Sequence, residues 1–534
     1  MDGLMMEVPL TLDMILRRAE TIHTEREVVT RLTDKEWHRY SYGEMANRAK
    51  RLTLALRGLG VKPGDRVATL CWNHYRHLEA YFGIPIGGAV LHTLNLRLHP
   101  DELAYIVNQA QDKILIVDES LLGILAEFRE QIQPEQIIVI RESDADLPNE
   151  WLDYELLLAD VDVADYQQVE LDESSAAAMC YTSGTVGQPK GVVYSHRAIT
   201  LHTLGAALTS GLEIWEQDCI LPVVPMFHVN AWGLPYVAAM MGSKLVLAGQ
   251  HVDAISLLEA FEQEQVTMTA GVPTIWIGLL QELDANPQQY DLSALRKLIV
   301  GGASLAKSLI QAFEERHQLR LVQAWGMTET TPIGTVSLLR EGQDQAVQDQ
   351  QYEWRARQGT PVAFVEVRAR ADAGLVPWDG STMGELEVRG PWIARAYYQR
   401  ADTADRFTDD GWFRTGDIVS IDAKGCVKIE DRLKDLIKSG GEWISSQDLE
   451  NTLLAHPSVL EAAVVAIPDE KWSERPLAVV VLHPDQQVTA DQLRDHLRDK
   501  VAKWWLPERF EFVESLPKTS VGKIKKSALR EIYS

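Results

Sequence analysis

The run Tyr181-Thr-Ser-Gly-Thr-Val-Gly-Gln-Pro-Lys190-Gly191 gathers hydroxyls, glycines and a lysine into one short segment. Backbone amides and hydroxyls in such a loop can approach phosphate oxygens closely, and Lys190 supplies positive charge. Gly191 follows Lys190 where a Walker A loop would have Ser or Thr, so that reading is excluded. A glycine-rich string alone is more often a surface turn. This one continues into Gly191-Val-Val-Tyr-Ser-His196, and the longer string is far less expected by chance. Four further segments set charged residues among glycines and hydroxyls. They are Trp325-Gly-Met-Thr-Glu329-Thr, Gly411-Trp-Phe-Arg-Thr-Gly-Asp417, Asp431-Arg432-Leu-Lys434-Asp-Leu-Ile-Lys438-Ser-Gly440-Gly441 and Pro517-Lys-Thr-Ser-Val-Gly522-Lys523. Taken singly, each has a plain alternative: Glu329 as a solvated carboxylate, Asp417 as a turn residue, Lys523, Lys525 and Lys526 as a basic tail. Gly301-Gly302-Ala303-Ser304, after the apolar run Lys297 to Val300, reads by itself as a turn.

Together and in this order, the five motifs resemble those of the adenylate-forming superfamily, which includes acyl-CoA synthetases, luciferases and nonribosomal peptide adenylation domains. The resemblance runs along nearly the whole chain. It implies that a carboxylate attacks the α-phosphate of ATP, pyrophosphate leaves, and the acyl-adenylate then passes to the thiol of CoA. Two anions must be brought together, so positioning and electrostatics should carry the catalysis. By this resemblance Thr182, Ser183, Gly184, Thr185 and Lys190 hold the phosphates, and Thr185 with Glu329 holds Mg²⁺, a cation that prefers oxygen ligands. Gly302, Ala303, Trp325, Gly326, Met327 and Thr328 belong to the adenine and metal motifs. Asp417 accepts the ribose hydroxyls, and Arg432 donates to the sugar or phosphate edge. Lys523 is assigned to the chemical step; a cation about 4 Å from a negative charge contributes on the order of 4 kcal/mol at an effective dielectric of 20. For Lys525 and Lys526 the basic-tail reading stands. In the second half-reaction a rotated small domain withdraws Lys523 and admits CoA, with Lys434 as the hinge and Ser439, Gly440 and Gly441 lining the tunnel.

The acid is addressed by Pro225-Met-Phe-His228-Val-Asn230-Ala-Trp232-Gly233, which resembles the acyl-site motif with His228 near the carboxylate. Leu234 to Met241 is apolar, as an acyl pocket would be, and Val272 contributes a further wall. Trp232 sits where long-chain fatty acyl-CoA synthetases place a gating tryptophan; a core aromatic is the equal alternative. The string Gly440-Gly-Glu-Trp443-Ile-Ser-Ser-Gln-Asp-Leu-Glu450 is also most similar to bacterial medium- and long-chain fatty acyl-CoA synthetases. A fatty acid is therefore the expected substrate. The alternatives are a short-chain or sulfur-containing acid, and a stand-alone enzyme loading a carrier-protein thiol. Methylene discrimination is only about 1–3 kcal/mol per group, so the chain length stays open. A nucleotide-binding regulator and an oxygen-dependent luciferase are rivals from other classes. Two residues depart from the family pattern: Val186 stands where a hydroxyl is usual, and Trp325 replaces a tyrosine, keeping the stacking surface while losing the phenol hydrogen bond.

Positioning these residues requires an alternating framework. Ser41-Tyr-Gly-Glu44 is a capping box, followed by Met45, Ala49, Leu52, Leu56 and Leu59 on one helix face, with Gly60 as its stop. Val67 to Leu70 then reads as a buried strand, Glu102 to Ala110 as helix and Ile114 to Val117 as strand. Such alternation predicts an α/β fold of helix-covered parallel sheets. Gln343 to Gln351 reads as a solvated loop or helix face. Near the C-terminus, Ala462 to Ile467, Leu477 to Leu482 and Phe510 to Val513 read as strands. Thr489 to Trp505 reads as one helix burying Leu493, Leu497, Val501 and Trp504. The expected division is a large domain at 1–430, a hinge at 431–437 and a small mobile α+β domain at 438–534.

The 534 residues carry 52 Lys+Arg against 77 Asp+Glu, a net charge of −25. No broad basic field is available for nucleic acid or an anionic membrane surface. Cys71, Cys180, Cys219 and Cys426 show neither a zinc spacing nor a disulfide framework, which suits a reducing compartment. Asp2 and Glu7 stand where a signal peptide needs positive charge, and no apolar run reaches the length of a spanning helix. The expectation is a cytoplasmic enzyme, homodimeric like the long-chain relatives it resembles.

Overall fold

The computed structural model describes residues 3–143, 146–182, 188–439, 442–469, 471–498, 500–519 and 523–533. Ser183, Gly184, Thr185, Val186, Gly440, Gly441 and Gly522, all named above, lie outside them.

The alternating pattern folds as its periodicity requires. Tyr42–Gly58 is a helix closed at its start by the Ser41/Glu44 capping box, and it buries Met45, Ala49, Leu52 and Leu56. Gly60, at φ +81°, supplies the left-handed turn after it. The chain returns as Arg66–Leu70, which pairs in parallel with Val90–Thr93 on one side and Asp112–Asp118 on the other. The helices Tyr75–Gly83 and Pro100–Ala110 lie between these strands in the sequence. This seven-stranded sheet ends in the antiparallel pair Ala176–Tyr181 and Gly191–Ser195. A nine-stranded sheet holds four neighbouring parallel strands, Cys219–Pro222, Met268–Gly271, Lys297–Val300 and Leu321–Gly326. A five-stranded antiparallel sheet follows, ending in Phe413–Ile421 and Val427–Arg432. The smaller C-terminal domain has its own five-stranded sheet around the long hairpin of Val459–Asp469 and Ser473–Leu482. The chain is thus a large N-terminal body of α/β sheets with a smaller α+β domain after it.

One expectation is corrected here. The helix expected over Thr489 to Trp505 is described over Ala490–Arg498, and a short 3-10 turn stands at Lys503–Trp505. That turn redirects the chain, so Trp505 packs on the small-domain core while Trp504 is 42% exposed. Gln343 to Gln351 is a mostly exposed loop running into the helix Gln348–Arg355, as expected, with Gln343 buried at its start. Among the described residues no helix is long and apolar enough to cross a membrane.

Candidate active site

Four loops leave the carboxyl ends of adjacent parallel strands on one edge of the nine-stranded sheet. Val272 follows Met268–Gly271, Gly301 and Gly302 follow Lys297–Val300, and Met327 follows Leu321–Gly326. The segment to His228 follows Cys219–Pro222. The crevice beyond strand carboxyl ends is where open α/β sheets hold ligands.

The seven-stranded sheet adds the phosphate loop. Tyr181 and Gly191 are register partners. The Thr182 amide donates to the Lys190 carbonyl (2.9 Å), and the Lys190 amide donates to Thr182 Oγ1 (3.2 Å). The base of the loop is therefore pinned by Thr182 and Lys190. Ser183, Gly184 and Thr185 fall outside the described residues.

The third sheet supplies the carboxylate and guanidinium. Asp417 and Arg432 lie directly opposite each other on antiparallel strands, and Arg432 Nε is 2.6 Å from Asp417 Oδ1. Asp417 is fully buried, and its other oxygen accepts from the Trp325 indole Nε1 at 3.0 Å. The sequence reading did not foresee this bond: the Trp325 indole N–H orients the carboxylate. The ring lies on Gly334, where an added β-carbon would meet Trp325 Cζ3 at 2.5 Å. Gly326 is equally confined, since a β-carbon there would stand 2.0 Å from the Pro332 carbonyl oxygen.

Glu329 sits in the 3-10 turn Thr328–Thr330 and is 6% exposed. Tyr397 donates its hydroxyl to Glu329 Oε1, and Tyr194 donates to the Thr328 carbonyl at 2.8 Å. No cationic side chain pairs with Glu329 among the described residues. Tyr397 was not singled out from the sequence; only its place in the Tyr397-Tyr398 pair could have drawn notice.

The acyl motif is clamped from the first sheet. Asn73 Nδ2 donates to the carbonyls of Pro222 (3.2 Å) and Val224 (2.9 Å), and its Oδ1 accepts from the Met226 amide (2.6 Å). Tyr81 donates to the Met226 carbonyl, and Thr93 to that of Phe227 (3.2 Å). After His228 the backbone turns left-handed for four residues, Val229, Asn230, Ala231 and Trp232, with φ between +46° and +57°. Each such residue costs roughly 1–2 kcal/mol, so this turn is held by its surroundings. It lays the Trp232 ring against Gly301, where a β-carbon would meet Cη2 at 2.8 Å. Burial, reinforced by the Lys523 ammonium, lowers the His228 imidazole to about 3, so the ring is neutral at physiological pH.

Lys523 completes the arrangement. A β-carbon on Gly302 would lie 3.3 Å from Lys523 Cε, 3.9 Å from its Nζ and 3.4 Å from Val272 Cγ1. Burial, and then the Arg432 guanidinium, lower the ammonium to about 8, against the pull of Asp417 and Glu329. The small domain's loop lysine is therefore inside the crevice of the large domain. Beside it, Gln447 Nε2 donates to Ser304 Oγ (2.7 Å); Ala303 is exposed. Ser439 is buried, and its hydroxyl accepts from Arg475 Nη1 (3.2 Å). Lys434 is exposed on the connection between the domains. Lys526 departs from the basic-tail reading: its Nζ donates to Ser446 Oγ (2.6 Å) and pairs with Glu450 (2.6 Å).

The AMP-binding enzyme model matches residues 16–398, and the AMP-binding enzyme C-terminal domain model matches 448–523. The chain belongs to the AMP-binding enzyme family. It is 48% identical over 99% of its length, and 96% of the relative's, to a long-chain-fatty-acid–CoA ligase of Thermus thermophilus. It is 40% identical to a medium-chain-fatty-acid–CoA ligase of Ectopseudomonas oleovorans, over 99% of this chain and 97% of the relative. The crystal structure of the anthranilate CoA ligase AuaEII in complex with anthranoyl-AMP superposes with a TM-score of 0.88 at 26% identity, covering 99% of this chain and 98% of that one.

Proposed function

We propose that this enzyme is an AMP-forming fatty acid–CoA ligase acting on a medium- or long-chain carboxylate. The observation that carries the reading is Lys523 seated against Gly302 and Val272, within the field of Asp417, Glu329 and Arg432. A cation delivered there can neutralise charge as the carboxylate oxygen bonds to the α-phosphorus and the bond to pyrophosphate breaks. Asp417, oriented by Trp325 and Arg432, accepts the ribose hydroxyls. Thr182, Ser183, Gly184, Thr185 and Lys190 hold the phosphates, and Gly302, Ala303, Trp325, Gly326, Met327 and Thr328 surround the base. Neutral His228 offers the acid a dipole rather than a further cation.

Glu329 fits a hard divalent cation, because its carboxylate is buried and accepts only from a neutral phenol among the described residues. Glu329 and Thr185 would hold Mg²⁺, which when bound shields the triphosphate charge. For the thiol step, the domain spanning 438–534 turns on 431–437 about Lys434. That movement takes Lys523 away from the body at 1–430 and lets Ser439, Gly440 and Gly441 line the path of CoA. The relatives' named substrates and the apolar helix Leu234–Met241 support a fatty acyl chain, with Trp232 on Gly301 as its gate. A cytoplasmic homodimer belongs to the same reading.

The test is CoA-thioester formation across acids from acetate to stearate, with a short thioether acid and a phosphopantetheinyl carrier protein as competitors. Highest kcat/KM with medium or long chains is expected. Preference for acetate, for the thioether acid or for the carrier thiol would refute the assignment.

A further inference from the structure

Tyr397 lies between the two charges that the proposed reaction needs at the triphosphate. Its hydroxyl donates to Glu329 Oε1 at 2.5 Å, and the Lys190 ammonium stands 5.1 Å over its ring centroid. Lys190 and Glu329 come from different sheets, and among the described residues no ion pair joins them. An ammonium and a carboxylate facing one crevice would otherwise attract each other strongly. A phenol suits the gap because its hydroxyl satisfies the carboxylate while its face accommodates the cation.

The loop carrying Tyr397 is stitched to both sides. The Tyr398 amide donates to the Gly191 carbonyl (2.8 Å), next to Lys190. The Ala394 amide donates to the Glu329 carbonyl (2.8 Å). Thr331 Oγ1 donates to the Trp392 carbonyl (2.6 Å), and the Trp392 indole donates to that of Ile333 (3.0 Å). Phe407 packs edge-on against the Tyr397 ring, with centroids 6.1 Å apart. The ring is thus fixed from three directions.

We infer that Tyr397 is a positioning residue that holds the Glu329 carboxylate and the Lys190 ammonium apart and aims both at a metal-bound triphosphate. The inference rests on the proposed adenylation site, with Glu329 as a metal ligand. Glu329 Oε1 is oriented by the phenol, leaving the carboxylate's remaining lone pairs for a divalent cation. Removing the hydroxyl should therefore weaken metal-assisted nucleotide binding specifically, and leave the thiol step intact.

Calorimetry of ATP binding with Mg²⁺ and with chelator measures this directly on wild type, Tyr397→Phe and Glu329→Gln. Phe retains the ring and its packing, so the fold and the face under Lys190 are kept. In Tyr397→Phe the gain in ATP affinity on adding Mg²⁺ should shrink about five- to tenfold. ATP binding in chelator, and thioester formation from preformed acyl-adenylate and CoA, should stay within about twofold. A wild-type Mg²⁺ gain in Tyr397→Phe, with the gain lost in Glu329→Gln, would overturn the inference while leaving the site assignment standing. An unchanged gain in Glu329→Gln would overturn the site assignment, and the inference with it.

Discussion

Seating Lys523 in the crevice moves its ammonium from the ordinary 10.5 to about 8. At 1.36 kcal/mol per pH unit, the charged form is disfavoured there by about 3 kcal/mol. The seated lysine binds its proton less tightly than the withdrawn one. Raising the pH from about 8 toward 10.5 therefore favours seating while discharging the seated amine. The proposed adenylation step needs the charge, so its rate should be level below about 8 and fall above it. Single-turnover pyrophosphate release without CoA isolates this step. Its alkaline limb in kcat/KM for ATP should lie near 8 in the wild type. The limb should disappear from Lys523→Arg, whose guanidinium stays protonated beyond about 12. In Lys523→Ala, losing an attraction on the order of 4 kcal/mol should slow adenylation by about two to three orders of magnitude. Thioester formation from preformed acyl-adenylate should change by less than about threefold, because the proposed domain rotation withdraws Lys523 before that step. A limb that stays near 8 in Lys523→Arg, or equal losses in both half-reactions of Lys523→Ala, would refute the reasoning.

Trp325→Phe keeps an aromatic surface on Gly334 but removes the donor to Asp417. A hydrogen bond to a charged acceptor is worth about 1.5 kcal/mol or somewhat more, so KM for ATP should rise about tenfold at near-constant kcat. The effect should be smaller with 2′-deoxy-ATP, measured in the same assay. Asn73→Ala leaves the Pro222 and Val224 carbonyls and the Met226 amide without their side-chain partner in a buried setting. Urea denaturation should report a loss of about 2–4 kcal/mol, with impaired use of the acid before impaired use of ATP.

The strand and helix rhythm was readable because it is local: the Ser41 box, the face from Met45 to Leu56 and the strand Val67 to Leu70 all follow from near neighbours. The motifs were readable because their spacing is local as well, and the Asp417–Arg432 pair even falls in register across a hairpin. What escaped was long-range. Asn73 acts 149–153 residues away from its partners, and Tyr397 reaches Glu329 across 68 positions. No periodicity announces either contact. The left-handed turn at 229–232 opposes local preference, since Val, Ala and Trp all disfavour positive φ. Only the clamps from Asn73, Tyr81 and Thr93 and the Trp232 contact with Gly301 make it intelligible. Lys526 looked like part of a solvated tail because its partners, Ser446 and Glu450, precede it by 80 and 76 positions.

The way the two domains meet bears on whether Lys523 can leave. The apolar clusters of the large body draw on residues up to Ile429, and those of the small domain begin at Ile437. Among the described residues, no cluster spans both. Among the described residues, the polar contacts across the junction include Gln447 to Ser304 and Lys428 to Asp448 at 3.4 Å, and the Ser446 amide and hydroxyl donate to Asp431 Oδ2 of the hinge at 2.6 Å each. Water can replace polar partners at small net cost, whereas exposing apolar surface costs about 25 cal/mol per Å². An interface built this way specifies an orientation without locking it, as relative domain motion requires. The proposed catalytic ammonium, lowered to about 8 by burial and then by the Arg432 guanidinium, stays mostly charged near neutral pH. A lysine buried deeply enough to lose its proton at neutral pH would bind the crevice as a neutral amine and bring no charge to the phosphorus.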